Sequence, residues 1–426
     1  MPIETIALRM YGKMDLRLER FELPELKDDE ILAEIISDTS CPSTYKEITQ
    51  GEDHPRVPKD IKENPVIVGH EMAGRILKVG KKWKNRYNEG QKFTIQPALL
   101  YEGGPVGVLS APGYSYRYLG GLAQKVIIPN EVMEQNCLLI YEGDAFYKGS
   151  LVEPMSCIIG AVNAQYHTKE RSYEHIMGIK RGGKLAILGG AGPMGLGFLD
   201  YFINGPQNPS LLVITDIDEN KLNRAKKAFS PEKAKEKGID LRFINPLKDE
   251  SYKDIKYDDI FVLYPSSKLV EEADSLLDRD GCLNFFAGPT DHNFSAVINF
   301  FKIHYDKHHI VATSGGNADD MHYALDLISR GVLNPTPMIT HVGGINSAKD
   351  VLLNFPKLPG GKKLIYTQIN LPLFDIDDLE RLSYEGEENL HPIYKDLYEI
   401  IKKNNGWWCT EAEEYLLSRD NLRIHI

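Results

Sequence analysis

The sequence has little cysteine and no two cysteines in a C-x-x-C pair. Five cysteines in 426 residues (Cys41, Cys137, Cys157, Cys282, Cys409) lie scattered along the chain. That excludes a disulfide-built scaffold and fits a reducing, cytoplasmic setting. A long basic run is also missing. Fifty Lys and Arg stand against 61 Asp and Glu, a net charge of -11. Binding a phosphate backbone requires clustered cations, so nucleic acid is not expected as a partner. Long apolar runs are absent too. The apolar, uncharged stretch 185–199 is too short and too rich in glycine to cross a bilayer. Glu4 and Arg9 interrupt the first apolar stretch, so neither a secretory leader nor a membrane association is expected. There is no internal repeat and no low-complexity segment. The remainder is ordinary globular composition, 42% hydrophobic and 26% charged, at a length that suits two or three domains.

The richest stretch runs over 184–216. An apolar strand at 185–188 feeds a turn with Gly190, Gly192 and Gly195 in G-x-G-x-x-G spacing, Pro193 and Met194 between the last two. A second apolar strand, 211–215, ends on Asp216. The spacing alone is weak evidence, but a strand before it, a helix after it and an acid about 20 residues on make it a dinucleotide site. Gly190 permits the tight turn, Gly192 lets backbone approach a pyrophosphate, and Gly195 lets the helix pack close to the strand. The helix N-terminus presents free N–H groups to phosphate. Asp216 would accept from the adenosine ribose and repel a 2′-phosphate, which favours NAD(H), with NADP(H) the alternative. The competing reading is a glycine-rich loop in some other α/β protein.

The rhythm of the chain changes near residue 160. Before it, short apolar strands at 31–36, 74–79, 92–96 and 124–128 are separated by Gly, Pro and Asn turns. After it, strands alternate with helices, the sign of a parallel sheet. Strands are expected at 241–245, 259–264, 282–287 and 309–313. With the first two they make the six of a doubly wound unit. Leu269, Ala273, Leu276 and Leu277 mark a helix between the fourth and fifth, and 321–329 reads as another. The acidic tail from about 371 reads as helical. Ile393, Leu397, Ile400 and Ile401 share a face, and Thr410 with Glu413 has the form of a capping box. The expected divisions are 1–160, 161–314 and 315–426.

A second constellation precedes the glycine turn. It comprises Cys41-Pro-Ser43-Thr44-Tyr45-Lys46, then Val-Gly-His70-Glu71, then Glu153-Pro154. A thiolate, an imidazole and carboxylates from separate loops suit zinc, and three protein ligands leave a fourth position open. Taken singly, Cys41 equally suits a buried thiol, His70 a satisfied core histidine and Glu153 a loop acid.

In order along the chain, the motifs are Cys41-x-Ser43, Gly69-His70-Glu71-x-x-Gly74 with Val79-Gly80, Gly90-Gln-Lys-Phe93, Gly120-Gly121-Leu-Ala-Gln124, Glu153-Pro154 and the glycine turn. This series resembles the medium-chain, zinc-dependent alcohol dehydrogenase superfamily, polyol (sorbitol) dehydrogenase branch, over about 25–370. The segment from Cys41 to Lys46 and the tail around Trp407-Trp408-Cys409 are similar to L-sorbose-1-phosphate reductase-like proteins. The resemblance implies an α/β architecture: a GroES-like β-rich catalytic domain, a Rossmann doubly wound parallel-sheet domain and a C-terminal helical extension. It implies one catalytic zinc held by Cys41, His70 and Glu71, with Glu153 binding directly or through water. It also implies catalytic roles for Glu153 and for Ser43 as a proton relay, Ser43 being equally readable as a turn residue. Relatives carry a structural zinc on four cysteines near 95–115; 99–118 here holds none, so no structural zinc is expected. Thr44 stands where the family often has Asp.

The chemistry implied couples a Lewis acid to a hydride carrier, interconverting an alcohol and a ketone. The substrate is expected to be a polyol, ketose or sugar phosphate, of the L-sorbose-1-phosphate or glucitol-6-phosphate type. The expected assembly is a homo-oligomer, dimer or tetramer. Tyr45 and Lys46 are placed to face a substrate. Lys46, Arg117 and Lys125 suit either a sugar phosphate or solvent. The loop 99–118, with Tyr101, Tyr114, Tyr116 and Tyr118, suits an active-site cover, a subunit contact or simple packing. Two other functions stay open: a zinc-free quinone or enone reductase, and a non-catalytic nucleotide-binding protein on the same scaffold.

Overall fold

The computed structural model describes residues 2–424. Contacts divide the chain into two units, one formed by residues up to 153 with those from 339 onward, the other by 154–338. The second division falls at 338/339 rather than 314/315. The helix Ala318–Ser329, opened by a capping box of Asn317 and Asp320, belongs to the second unit, where Asn163 donates to Asp320 at 2.8 Å.

The first unit is built on an eight-stranded sheet. Its strand order is Phe374–Asp375, Ile339–Gly344, Lys362–Tyr366, Ile31–Thr39, Met72–Val79, Lys92–Ile95 and Leu138–Tyr141, with Lys125–Ile128 also on Ile31–Thr39. The four strands expected here all form. A long hairpin, Ile3–Gly12 with Asp15–Leu23, forms as well. Its signal was the alternation of Ile6, Leu8 and Met10, of which Leu8 and Met10 are fully buried beside Val66 and Val68. The C-terminal extension folds into three helices, Leu379–Glu385, His391–Lys403 and Thr410–Leu417. Ile393, Leu397 and Ile401 bury the apolar face of the second.

The expected capping box does not form. Thr410 donates instead to Asp144 at 2.8 Å, and Cys409 occupies the N-cap without a side-chain bond. Glu413 accepts from the backbone N–H of Phe146 (2.6 Å) and Tyr147 (2.8 Å) and from the Tyr366 hydroxyl (2.9 Å). The carboxylate therefore caps a different helix, Phe146–Ser150, whose free N–H groups offered more than its own helix start. Trp408 is a core anchor, buried with its indole N–H on the Tyr366 hydroxyl at 2.9 Å; Trp407 is only half-buried.

The second unit holds six parallel strands in the order Asp240–Ile244, Leu211–Thr215, Lys184–Leu188, Tyr257–Val262, Leu277–Phe285 and His309–Val311. The first strand in the chain is central and the order reverses on either side of it, which is the doubly wound arrangement. Its near-continuous apolar strands are what burial on both faces demands. The helix Ser267–Leu276 buries Val270, Ala273 and Leu276; Leu277 already begins the next strand.

Candidate functional site

Three neighbouring strand ends bring the first group together. Thr39 closes Ile31–Thr39, and Cys41 then caps the helix Pro42–Gln50. His70 and Glu71 lead into Met72–Val79, which runs antiparallel to Ile31–Thr39 with Asp38 opposite Met72. Lys362 opens Lys362–Tyr366 on the other side, with Leu364 opposite Thr39. Backbone bonds lock the ends: Thr39 N–H to Glu71 O at 3.0 Å and Ser40 N–H to Lys363 O at 2.9 Å.

The sulfur of Cys41, a ring nitrogen of His70 and a carboxylate oxygen of Glu71 lie within 4.8 Å of one another. Soft sulfur, imidazole and carboxylate at that separation suit the short bonds and tetrahedral demand of zinc, so the donor set fits the metal the sequence implied. Thr44 Oγ1 meets His70 Nδ1 at 3.1 Å. This is the outer hydrogen bond that fixes an imidazole ligand and leaves Nε2 as its donor, made here by a hydroxyl. The Tyr114 hydroxyl sits 3.5 Å from that Nε2. The loop 99–118 thus lines the group. Gly113, at φ +82°, lets it come close, since a Cβ there would meet Gly69 O at 2.1 Å.

Electrostatics suit a cation. Burial, then the charges of Lys362 and Arg56, hold His70 down to about 3, so the imidazole is neutral. Burial, then the charge of Glu71, pushes the Cys41 thiol up to about 12. A bound cation reverses that logic and deprotonates the thiol. Glu71 is gripped on both oxygens, one by the Lys362 ammonium and the other by the Thr39 hydroxyl. Burial works against the Lys362 charge, but Glu71 and Cys41 outweigh it and hold its pKa above the usual lysine value.

Glu153 does not join the converging group. It lies buried near enough for its charge to act on Cys41, Asp38 and Lys362. Ser43 stands in the first turn of Pro42–Gln50, and its backbone N–H bonds to the Cys41 sulfur. Lys46 is half-buried, whereas Arg117 is spent on an exposed ion pair with Asp60 at 3.5 Å. Thr39, Asp38 and Lys362 were missed. Their only sequence signal was a polar residue at an inward position of an apolar strand.

In the second unit the glycine turn is formed as its spacing required. Gly192 caps the helix Pro193–Asn204 with no side-chain bond, and open space lies where its Cβ would be. A Cβ on Gly195 would fall 1.6 Å from Gly190 O, so only glycine permits this packing. Gly190 N–H donates to Thr215 O at 2.8 Å, and Met194 follows Pro193 in the first helical turn. Asp216 directly follows Leu211–Thr215 and accepts from the N–H of Ala191 (3.1 Å) and Asp218 (3.0 Å). Each oxygen keeps a lone pair for a ribose hydroxyl.

Residues 27–136 match the alcohol dehydrogenase GroES-like domain family. The chain is 46% identical over 422 residues to L-sorbose 1-phosphate reductase of Klebsiella pneumoniae, and equally to mannitol-1-phosphate 5-dehydrogenase of Aliivibrio fischeri, covering 97% of each pair of chains. The chain belongs to the zinc-dependent medium-chain dehydrogenase family. Among solved structures, 2R,3R-butanediol dehydrogenase from Bacillus subtilis has the same fold, with a TM-score of 0.66 at 18% identity over 85% of this chain and 99% of that one. Members of this family are nicotinamide-linked oxidoreductases, and the donor set and glycine turn described above are the two parts such an enzyme needs.

Proposed function

We propose that the protein is a zinc-dependent oxidoreductase that passes a hydride between a nicotinamide cofactor and a polyol or ketose carrying a phosphate. The convergence of Cys41, His70 and Glu71 carries this reading. The two relatives at 46% identity, named for sugar-phosphate substrates, supply the substrate class. Cys41, His70 and Glu71 would hold one zinc, with Glu153 beside them. When bound, zinc polarises the substrate oxygen and makes an alcohol proton easier to lose.

The protein's own groups do the rest. Thr44 fixes the His70 ring, and Lys362 and Thr39 fix the Glu71 carboxylate. Ser43 would take the proton from the alcohol oxygen and pass it to solvent; the hydride comes from the carbon that bears that oxygen, and a bound nicotinamide would supply its acceptor. The overall exchange is alcohol plus oxidised cofactor for ketone, reduced cofactor and a proton. Gly192, Pro193, Met194 and Gly195 present backbone to the pyrophosphate, and Asp216 binds the ribose, favouring NAD(H) over NADP(H). The enzyme works in a reducing cytoplasm as a homo-oligomer, dimer or tetramer. The test is turnover of mannitol, L-sorbose and their 1-phosphates with NAD(H) and NADP(H) at matched concentrations. Highest kcat/KM on a phosphorylated pair with NAD(H) is expected. No turnover of any member, by protein that binds zinc and nucleotide, would overturn the reading.

A further inference from the structure

Glu47, on the helix Pro42–Gln50, is fully buried, and neither of its carboxylate oxygens has a hydrogen-bond partner. A buried carboxylate without donors is costly, and a fold that keeps one needs a reason. Burial pushes the Glu47 carboxyl well up, and the charge of Arg56 pulls the other way. Arg56 lies with its guanidinium 5.5 Å from the Tyr114 ring centroid, and among the described residues it makes no salt bridge. The Tyr114 ring packs against both His54, at 5.7 Å, and His70, at 4.9 Å. Its hydroxyl feels the charges of Cys41, Glu47, Arg56 and Glu153 together. The loop that carries Arg56 is tied to this phenol's own loop, Ser115 donating to Arg56 O at 2.6 Å.

An acid without donors and a guanidinium without a carboxylate therefore both lie near enough for their charges to act on one tyrosine, whose ring touches the metal-type imidazole. Those missing partners are the ones a polyol phosphate supplies. Its hydroxyls donate to a carboxylate, its phosphate offers oxygens to the planar fork of a guanidinium, and its carbon face lies on a ring. We propose that Glu47, Tyr114 and Arg56 form the subsite that selects a phosphorylated polyol, Glu47 accepting from hydroxyls next to the reacting carbon and Arg56 pairing with the phosphate. The proposal rests on the polyol-phosphate reading above and adds to it the residues that read the substrate.

The test compares zinc-loaded wild type, Arg56→Gln and Glu47→Met on L-sorbose 1-phosphate and L-sorbose, together with melting temperatures and calorimetric binding of L-sorbose 1-phosphate. Arg56→Gln is expected to lower the ratio of kcat/KM for the phosphorylated over the plain ketose about tenfold or more, because a charge-assisted bidentate pair is lost. Glu47→Met is expected to raise KM about tenfold while raising the melting temperature, because an unpartnered buried carboxylate gives way to an apolar group of similar volume. An unchanged discrimination ratio in Arg56→Gln, or a lower melting temperature with unchanged KM in Glu47→Met, overturns the subsite. If wild type turns over the phosphorylated ketose and both variants keep its KM, only the subsite falls. If wild type shows no preference for the phosphorylated ketose, the substrate reading falls with it.

Discussion

At the scale of single residues, the metal-type donors are held by partners that carry as much of the design as the donors themselves. Lys362 and Glu71 are both buried, and each is the other's counter-charge. Removing one partner leaves the other buried and unpaired, which is far more damaging than removing both. Lys362→Met should therefore lose about 3–5 kcal/mol of stability in urea unfolding. The double variant Lys362→Met with Glu71→Gln should recover a large share of it. Thr44 acts through His70. Thr44→Val should keep the fold and weaken zinc binding roughly 10–100-fold in competition with a chromophoric chelator. Spacing alone left Cys41, His70 and Glu71 as separate loop residues, because it says nothing of which strand ends meet; the ordered motifs and the family they resemble are what joined them. Lys362 stands 291 positions from Glu71, and nothing short of the strand order joins them.

At the scale of elements, local signals were read well and long-range ones were not. The six parallel strands and the glycine turn were legible because buried parallel strands are continuous apolar runs and because close packing admits only glycine at 195. The Thr410–Glu413 pair was misread because the same residues that make a capping box can serve another helix when tertiary structure offers free N–H groups. Glu413 is that case, and it gives the docking of the C-terminal extension a pH dependence. Burial raises the Glu413 carboxyl to about 7, against the pull of the Phe146 and Tyr147 N–H groups, the Tyr366 hydroxyl and the Lys92 charge. A carboxyl whose folded-state pKa is raised contributes stability that is full below the unfolded pKa, about 4.3. That contribution fades as pH rises through the folded value, because the unfolded chain ionises first. Thermal melts should show falling stability between about pH 4.5 and 7. Glu413→Gln should flatten that slope. Trp408→Ala, which empties a fully buried site on the same extension, should cost about 3–5 kcal/mol.

At the scale of the whole molecule, two units each supply one half of an oxidoreductase. One gathers a thiol, an imidazole and a carboxylate; the other presents a nucleotide-binding turn. Among the described residues no helix is long and apolar enough to cross a membrane, and all five cysteines are free. Metal held at the assembled strand ends would also stabilise the fold, since the unfolded chain does not assemble that donor set; a chelator should lower the melting temperature accordingly. The account stands or falls on whether Cys41, His70 and Glu71 hold zinc. Elemental analysis of the purified protein, wild type beside His70→Ala, measures this directly. The expected result is about one zinc per chain in wild type, and loss of both zinc and turnover in His70→Ala with circular dichroism unchanged. A His70→Ala protein that keeps its full zinc and its turnover would contradict the account.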